Sequence, residues 1–412
     1  MKSVPLSRMR AYWQRLQVLL TGSALLSQAF RSFFLASASY ALLAMILWLL
    51  TLSGELQWRA ALNPVVWHAH EMLFGFGATV LNGFLLTAAK HWTGLNPISS
   101  CQLLVSVSLW LAARALLALS LLASELNSAL WVAASAVLES CWWILSIALL
   151  ARVITQAKNY HNYLLLPLLL VLMMLDNAIL WLDLSAQDSQ ALQLTHTSLL
   201  VFVVIIGIVG GRVIPFFAAR ALSNFPAPPM PVVNRLILII SLCGLASYSL
   251  GIFYSLAIPG YGFFYALAVL HFYRLYHWLD RRLFAQPMLW SLLLAYFFTA
   301  LGLALIGASL QNPAISLGNA LHLITIGALG LMMLSMMARV SLGHTNRSIV
   351  ATHSLVFAFV CLLLAAVTRA FGALLFPELI FLLSLVSGIL WSTAFLIFIK
   401  NFYPILISPR LV

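Results

Sequence analysis

Charge is scarce in this chain. Only 7% of its 412 residues are charged, and nine of them are acidic. A soluble protein of this size carries about a quarter of its residues charged, so a fold surrounded by water on all sides is excluded. Cysteine is equally sparse. Cys101, Cys141, Cys243 and Cys361 each stand alone inside an apolar run, with no CxxC pair. That excludes a disulfide framework and a thiolate metal site and leaves ordinary buried thiols. Long polar stretches are missing too. The longest polar connection carries Asn224, Pro226, Pro228, Pro229 and Pro231, and it reads as a stiff connector rather than a soluble domain. The His70-Glu71 pair lacks the second histidine of an HExxH zinc motif, because Phe74 stands in its place.

What is present is apolar: 63% of the residues are hydrophobic, with a mean hydropathy of +1.04. The pattern predicts an all-α polytopic membrane protein with twelve spans. They fall near 31–52, 67–89, 101–122, 128–151, 162–182, 192–216, 234–257, 260–279, 288–309, 316–339, 350–374 and 378–400. Each has roughly the 20 residues needed to cross ~30 Å of hydrocarbon. Residues 1–30 read as a cytoplasmic or interfacial amphipathic arm, 31–402 as the transmembrane domain and 403–412 as a cytoplasmic tail. With the N-terminus inside, eighteen of the 21 basic residues fall on the cytoplasmic side. Arg59 and Arg369 fall outside, and Arg114 lies within a span. The net charge of +12 therefore reads as topology, with both termini cytoplasmic, rather than as a nucleic-acid interface.

A repeat is visible. His196 opens span six, which closes on Arg212-Val213, and His322 opens span ten, which closes on Arg339-Val340; a second arginine follows each pair eight residues on, at Arg220 and Arg347. His70 opens span two, and His70, His196 and His322 are spaced 126 residues apart. All three would lie at the outer end of an outside-to-inside span. The expectation is three units of four helices, with these histidines converging at one depth. Ionisable groups inside a membrane mark functional sites by default. Neutral imidazole ligates haem iron, copper or zinc, whereas the plainer reading is three helix-end histidines that hydrogen-bond to neighbouring helices. His68 and His70 are two residues apart, roughly 200° around a helix, so they should not face one site.

Other candidates divide in the same way. Gly75, Thr79 and Gly83 form one stripe and Gly207 and Gly211 another; both read as close helix packing, with a porphyrin surface as the sharper alternative. Arg114 pairs with Glu139 on the next span as a buried ion pair, and these with Asp176 are otherwise candidates for a proton path or polar ligand site. Arg59 and Arg369 are candidate partners for acidic groups at the outer face. At the inner face, Gly94 and Gly343 suit left-handed helix ends, and His91 with His344 forms a candidate second site.

Several long segments, taken together and in order, resemble the NnrS family. They are Trp67-His68-Ala69-His70-Glu71-Met72-Leu73-Phe74-Gly75-Phe76, Gly83-Phe84-Leu85-Leu86-Thr87-Ala88, His91-Trp92-Thr93-Gly94, Gly210-Gly211-Arg212-Val213-Ile214-Pro215-Phe216-Phe217 and Arg339-Val340-Ser341-Leu342-Gly343-His344-Thr345. His91 departs from the family, which usually shows Asn before Trp-Thr-Gly. The resemblance runs from Phe30 to the last spans. It implies a bacterial inner-membrane protein of the nitric oxide response that binds haem and copper, with a distant likeness to the twelve-helix catalytic subunit of haem–copper oxidases. Placed on the histidines of the repeat, haem falls on His70 with His322 or His196, assisted by His68, and copper on His196, His68 and Glu71. Arg59 and Arg369 would pair with haem propionates. Span seven has no histidine and span ten has one, so the oxidase copper site and its reaction are not implied.

Three functions compete on this reading. One is a haem-binding protein that protects against nitric oxide. Another is a redox enzyme related to nitric-oxide reductase. The third is a transporter of a metal or small anion, a class that also uses internal repeats.

Overall fold

The structure is a computed structural model that describes residues 22–58, 60–121, 125–225, 228–251 and 260–411. Most of the expected arm, residues 1–21, and the outer Arg59 lie outside these residues. Among the described residues twelve long helices follow one another: α1 (Ala29–Leu52), α2 (Pro64–Thr93), α3 (Ser100–Ser120), α4 (Glu125–Gln156), α5 (Tyr160–Leu184), α6 (Asp188–Ala221), α7 (Pro231–Gly251), α8 (Tyr261–Tyr276), α9 (Pro287–Gln311), α10 (Leu317–His344), α11 (His353–Leu375) and α12 (Pro377–Ile407). No strand occurs among the described residues. Eleven helices are long and apolar enough to cross a membrane, and α8, with 16 residues, is the shorter one. The chain is a multi-pass all-α membrane protein. Every backbone polar group in lipid must be satisfied within its own segment, and helices achieve this.

Each helix except α2 packs on the next in sequence, α2 packs on α1 and α4 instead, and α12 packs back on α1 to close the ring. Inside the ring α2, α6 and α10 touch one another. Each is the second helix of a four-helix group, so the packing agrees with the expected units α1–α4, α5–α8 and α9–α12. In their most apolar stretches α2 and α10 are 83% and 89% buried, against 17% for the peripheral α7. The closure is pinned by Arg31 on α1, whose Nη1 donates to the carbonyls of Leu406 at 2.8 Å and Ser408 at 2.6 Å. These carbonyls at the end of α12 have no partner within the helix, and a cation satisfies them.

Several helices overrun the expected spans. α4 and α6 continue past the apolar core into polar turns, and α12 runs through Pro404 to Ile407 instead of stopping near residue 400. Hydropathy locates the hydrocarbon layer rather than the helix ends, which accounts for the overrun. Gly94 takes the expected left-handed conformation, with φ +71°. Gly343 does not. It lies inside α10, and Asn346 adopts the left-handed turn with φ +59° instead.

Three spans widen into π-helical turns: Glu71–Ala78 in α2, Leu323–Gly330 in α10 and Thr368–Gly372 in α11. Such turns are rare in helices and recur at functional sites. All three border the same cavity.

Candidate functional site

α2 begins at Asn63, whose side-chain oxygen accepts from the Val65 N–H, and Pro64 occupies the first helical position. The Asn63 backbone N–H donates to Asp183 at 2.9 Å and its side-chain amide to Asp188 at 2.9 Å, which fixes the start of α2 against α5 and α6. His68 and His70 follow on opposite sides of the helix, as their spacing requires.

His68 faces a cavity of about 310 Å³ at this end of the central helices. His196 from α6, His322 from α10 and Arg369 from α11 face it too, with Met72, Phe76, Leu329 and Trp391 among its apolar walls. The His68 ring stacks on Trp48 at 4.3 Å, and its buried Nδ1 has no hydrogen-bond partner. The His322 Nδ1 donates to the Gly318 carbonyl at 2.6 Å. A carbonyl can only accept, so the proton sits on Nδ1 and Nε2 keeps its lone pair in the neutral ring. His196 Nδ1 lies 3.0 Å from the Tyr248 hydroxyl. Arg369 Nη1 donates to the Asn319 side-chain oxygen at 2.9 Å, and no acid pairs with it among the described residues. Three imidazoles, one guanidinium and an otherwise apolar wall suit a flat, largely apolar ligand that carries a metal and acidic edges.

His70 is not part of this set. The expected convergence of His70 with His196 and His322 does not occur, and His68 stands in its place. His70 is fully buried on the far side of α2, with Nδ1 2.7 Å from Glu71 Oε1 and Nε2 2.6 Å from Asp176 Oδ1. Two carboxylates thus occupy both ring nitrogens. Glu71, also expected as a ligand, is held by the Arg114 Nη1 at 2.5 Å and by the Tyr40 hydroxyl. The other amine of the Arg114 guanidinium pairs with Glu139, as expected of these two. The Trp143 indole N–H donates to Asp176 at 2.8 Å. One buried network therefore ties α1, α2, α3, α4 and α5 together.

The donor atoms of His70, Glu139 and Asp176 lie within 4.8 Å of one another, close enough to ligate an ion. The network already has its cation, however. The Arg114 guanidinium lies between Glu71 and Glu139, and a metal ion there would sit beside a buried positive charge. We read the cluster as structural. Its Arg114–Glu139 half was legible as two unmatched charges on adjacent spans. The His70–Asp176 contact links spans far apart in sequence, and the Tyr40–Glu71 contact pairs an acid with an uncharged tyrosine, so neither carried a local signal.

The glycine stripes are packing surfaces. A Cβ on Gly75 would meet the Tyr40 ring at 2.5 Å, and one on Gly83 would lie 2.8 Å from Phe33 Cβ, so both allow α1 to approach α2 closely. At the opposite end of the helices His91 and His344 do come together, with ring centroids 5.0 Å apart, and Phe30 packs on His344 at 5.5 Å. No acid or third imidazole joins them as a ligand set among the described residues.

The family model described as NnrS protein matches residues 24–410, nearly the whole chain. No curated protein matches the sequence.

Proposed function

The chain belongs to the NnrS family, which is associated with nitric oxide stress, and from that premise we propose that the cavity bounded by His68, His196 and His322 binds haem in the nitric oxide response. The His322 ring carries the reading. Its Nδ1 is held by the Gly318 carbonyl within a π-widened helix, and its Nε2 remains available at a buried cavity. Orientation of a ligating histidine through its other nitrogen is how proteins fix the tautomer and basicity of such ligands. His196 or His68 would supply a second nitrogen, and the Trp48 stack holds the His68 plane. Arg369 receives an acidic edge of the group, in the role expected for it; Arg59 falls outside the described residues. Met72, Phe76, Leu329 and Trp391 keep water away. Bound haem would supply an iron that takes nitric oxide.

Copper is the weaker reading at this cavity. His68, His196 and His322 are not among the described groups whose donor atoms gather within 4.8 Å, the spacing one ion needs. The basic helix ends favour a bacterial inner-membrane location with that side, and both termini, in the cytoplasm. An optical spectrum and metal analysis of the purified protein test the proposal. Haem absorption bands that shift when nitric oxide is added to the reduced protein are expected, with iron but no stoichiometric copper. A preparation from haem-supplied cells with no such bands would overturn it.

A further inference from the structure

Toward the basic end of the bundle, Gly207 lies eleven residues down α6 from His196, roughly 16 Å at the helical rise. Here Arg274 of α8 is buried in an unusual setting. It is 2% exposed, and among the described residues no acid pairs with it, since the acid ion pairs involve only His70, Arg114 and Arg282. Its Nη1 donates to the Gly207 carbonyl at 2.8 Å and the Tyr296 hydroxyl at 2.7 Å, and its Nη2 donates to the Asn234 side-chain oxygen at 2.6 Å. Its Nε has no partner. An uncompensated guanidinium inside a membrane bundle is costly unless an anion accompanies it.

A second buried polar side chain stands beside it. The Tyr296 oxygen accepts from Arg274, and His271 Nδ1 lies 2.7 Å from the same hydroxyl. The His271 Nε2 is buried without a partner behind Gly207. Arg274 lines two cavities, of about 350 and 280 Å³, which share Gly211 and Asn234. Arg212 and Arg235 stand on the wall of the larger one together with Ser241. The glycine stripe of α6 makes the room. A Cβ on Gly211 would come within 2.6 Å of Arg274 Nη1.

We propose that this cavity between α6, α7 and α8 is an oxyanion site, with Arg274 as its buried charge and Arg212 and Arg235 as its rim. The occupant is a phosphate-like group, either free in solution or carried by an anionic lipid headgroup. Basic pockets between membrane helices recognise such headgroups, and guanidinium forks match their oxygens. The site is separate from the histidine cavity, and its test does not depend on haem.

Thermal unfolding of the purified protein in phosphatidylcholine nanodiscs gives the readout. One arm titrates sodium phosphate against sodium chloride at matched ionic strength, and the other replaces part of the lipid with phosphatidylglycerol. Saturable stabilisation by phosphate identifies a free anion, and stabilisation by phosphatidylglycerol alone identifies a headgroup. Arg212→Gln and Arg235→Gln leave the buried Arg274 network intact and are expected to weaken the response about tenfold, the loss of one charge-assisted hydrogen bond. Lys400→Gln, on α12, should leave it unchanged. Equal stabilisation by chloride, no response in either arm, or rim variants that respond like the wild type would overturn the proposal.

Discussion

At the scale of single residues, the half-turn between His68 and His70 divides the labour of α2. One ring faces a cavity and the other an ionic network. The helical period made this division legible, since neighbours two apart cannot face one site. The equal 126-residue spacing pointed to the other member of the pair, because separation between residues on different helices carries no information about which way each one faces. The cavity set, built from His68, lacks that regularity. In the network, Arg114→Ala would leave buried Glu71 and Glu139 without their cation and is expected to cost about 3–5 kcal/mol. A large fall in the thermal unfolding midpoint in detergent checks this, and an unchanged midpoint would contradict the assigned role. Arg274 shows what residue reading misses. In sequence it is one more basic residue near a helix end, and only the fold shows that no acid among the described residues meets it.

At the scale of elements, the spans were legible from hydropathy and the π-helical turns were not. A π turn reflects how a helix meets its neighbours, and no composition signal accompanies residues 71–78, 323–330 or 368–372. The small-residue stripe of α2 was legible as a packing surface, and the structure supplies its partner, α1. Gly83→Ala would push a methyl group against Phe33 Cβ, 2.8 Å away, and is expected to destabilise by about 1–3 kcal/mol through overpacking. Gly210 makes a matched control. Its added Cβ would meet Tyr296 at an ordinary 3.6 Å, so Gly210→Ala should be neutral or slightly stabilising. Equal thermal midpoints for the two variants would contradict the close α1–α2 approach.

At the scale of the whole molecule, α12 returns to α1 and the other helices close around α2, α6 and α10. The helices were readable from hydropathy, and the sorting of basic residues makes an even number of crossings the expectation, because the translocation machinery acts on the sequence itself. The closure by Arg31 on the end of α12 was not readable, since it joins residues 375 positions apart. If α8 crosses with the eleven longer helices, both termini lie on one side. Tags at the two ends should be digested from the same face of sealed membrane vesicles, and digestion from opposite faces would contradict the count.

The central claim is that the histidine cavity, and not the network behind it, holds the haem. Its most direct test is the haem spectrum and content of purified His68→Ala, His196→Ala and His322→Ala beside His70→Ala. The first three are expected to lose or shift the haem bands. His70→Ala is expected to retain them in whatever protein folds, while unfolding at lower temperature. Wild-type bands in all three cavity variants, or loss of haem in folded His70→Ala alone, would contradict the account.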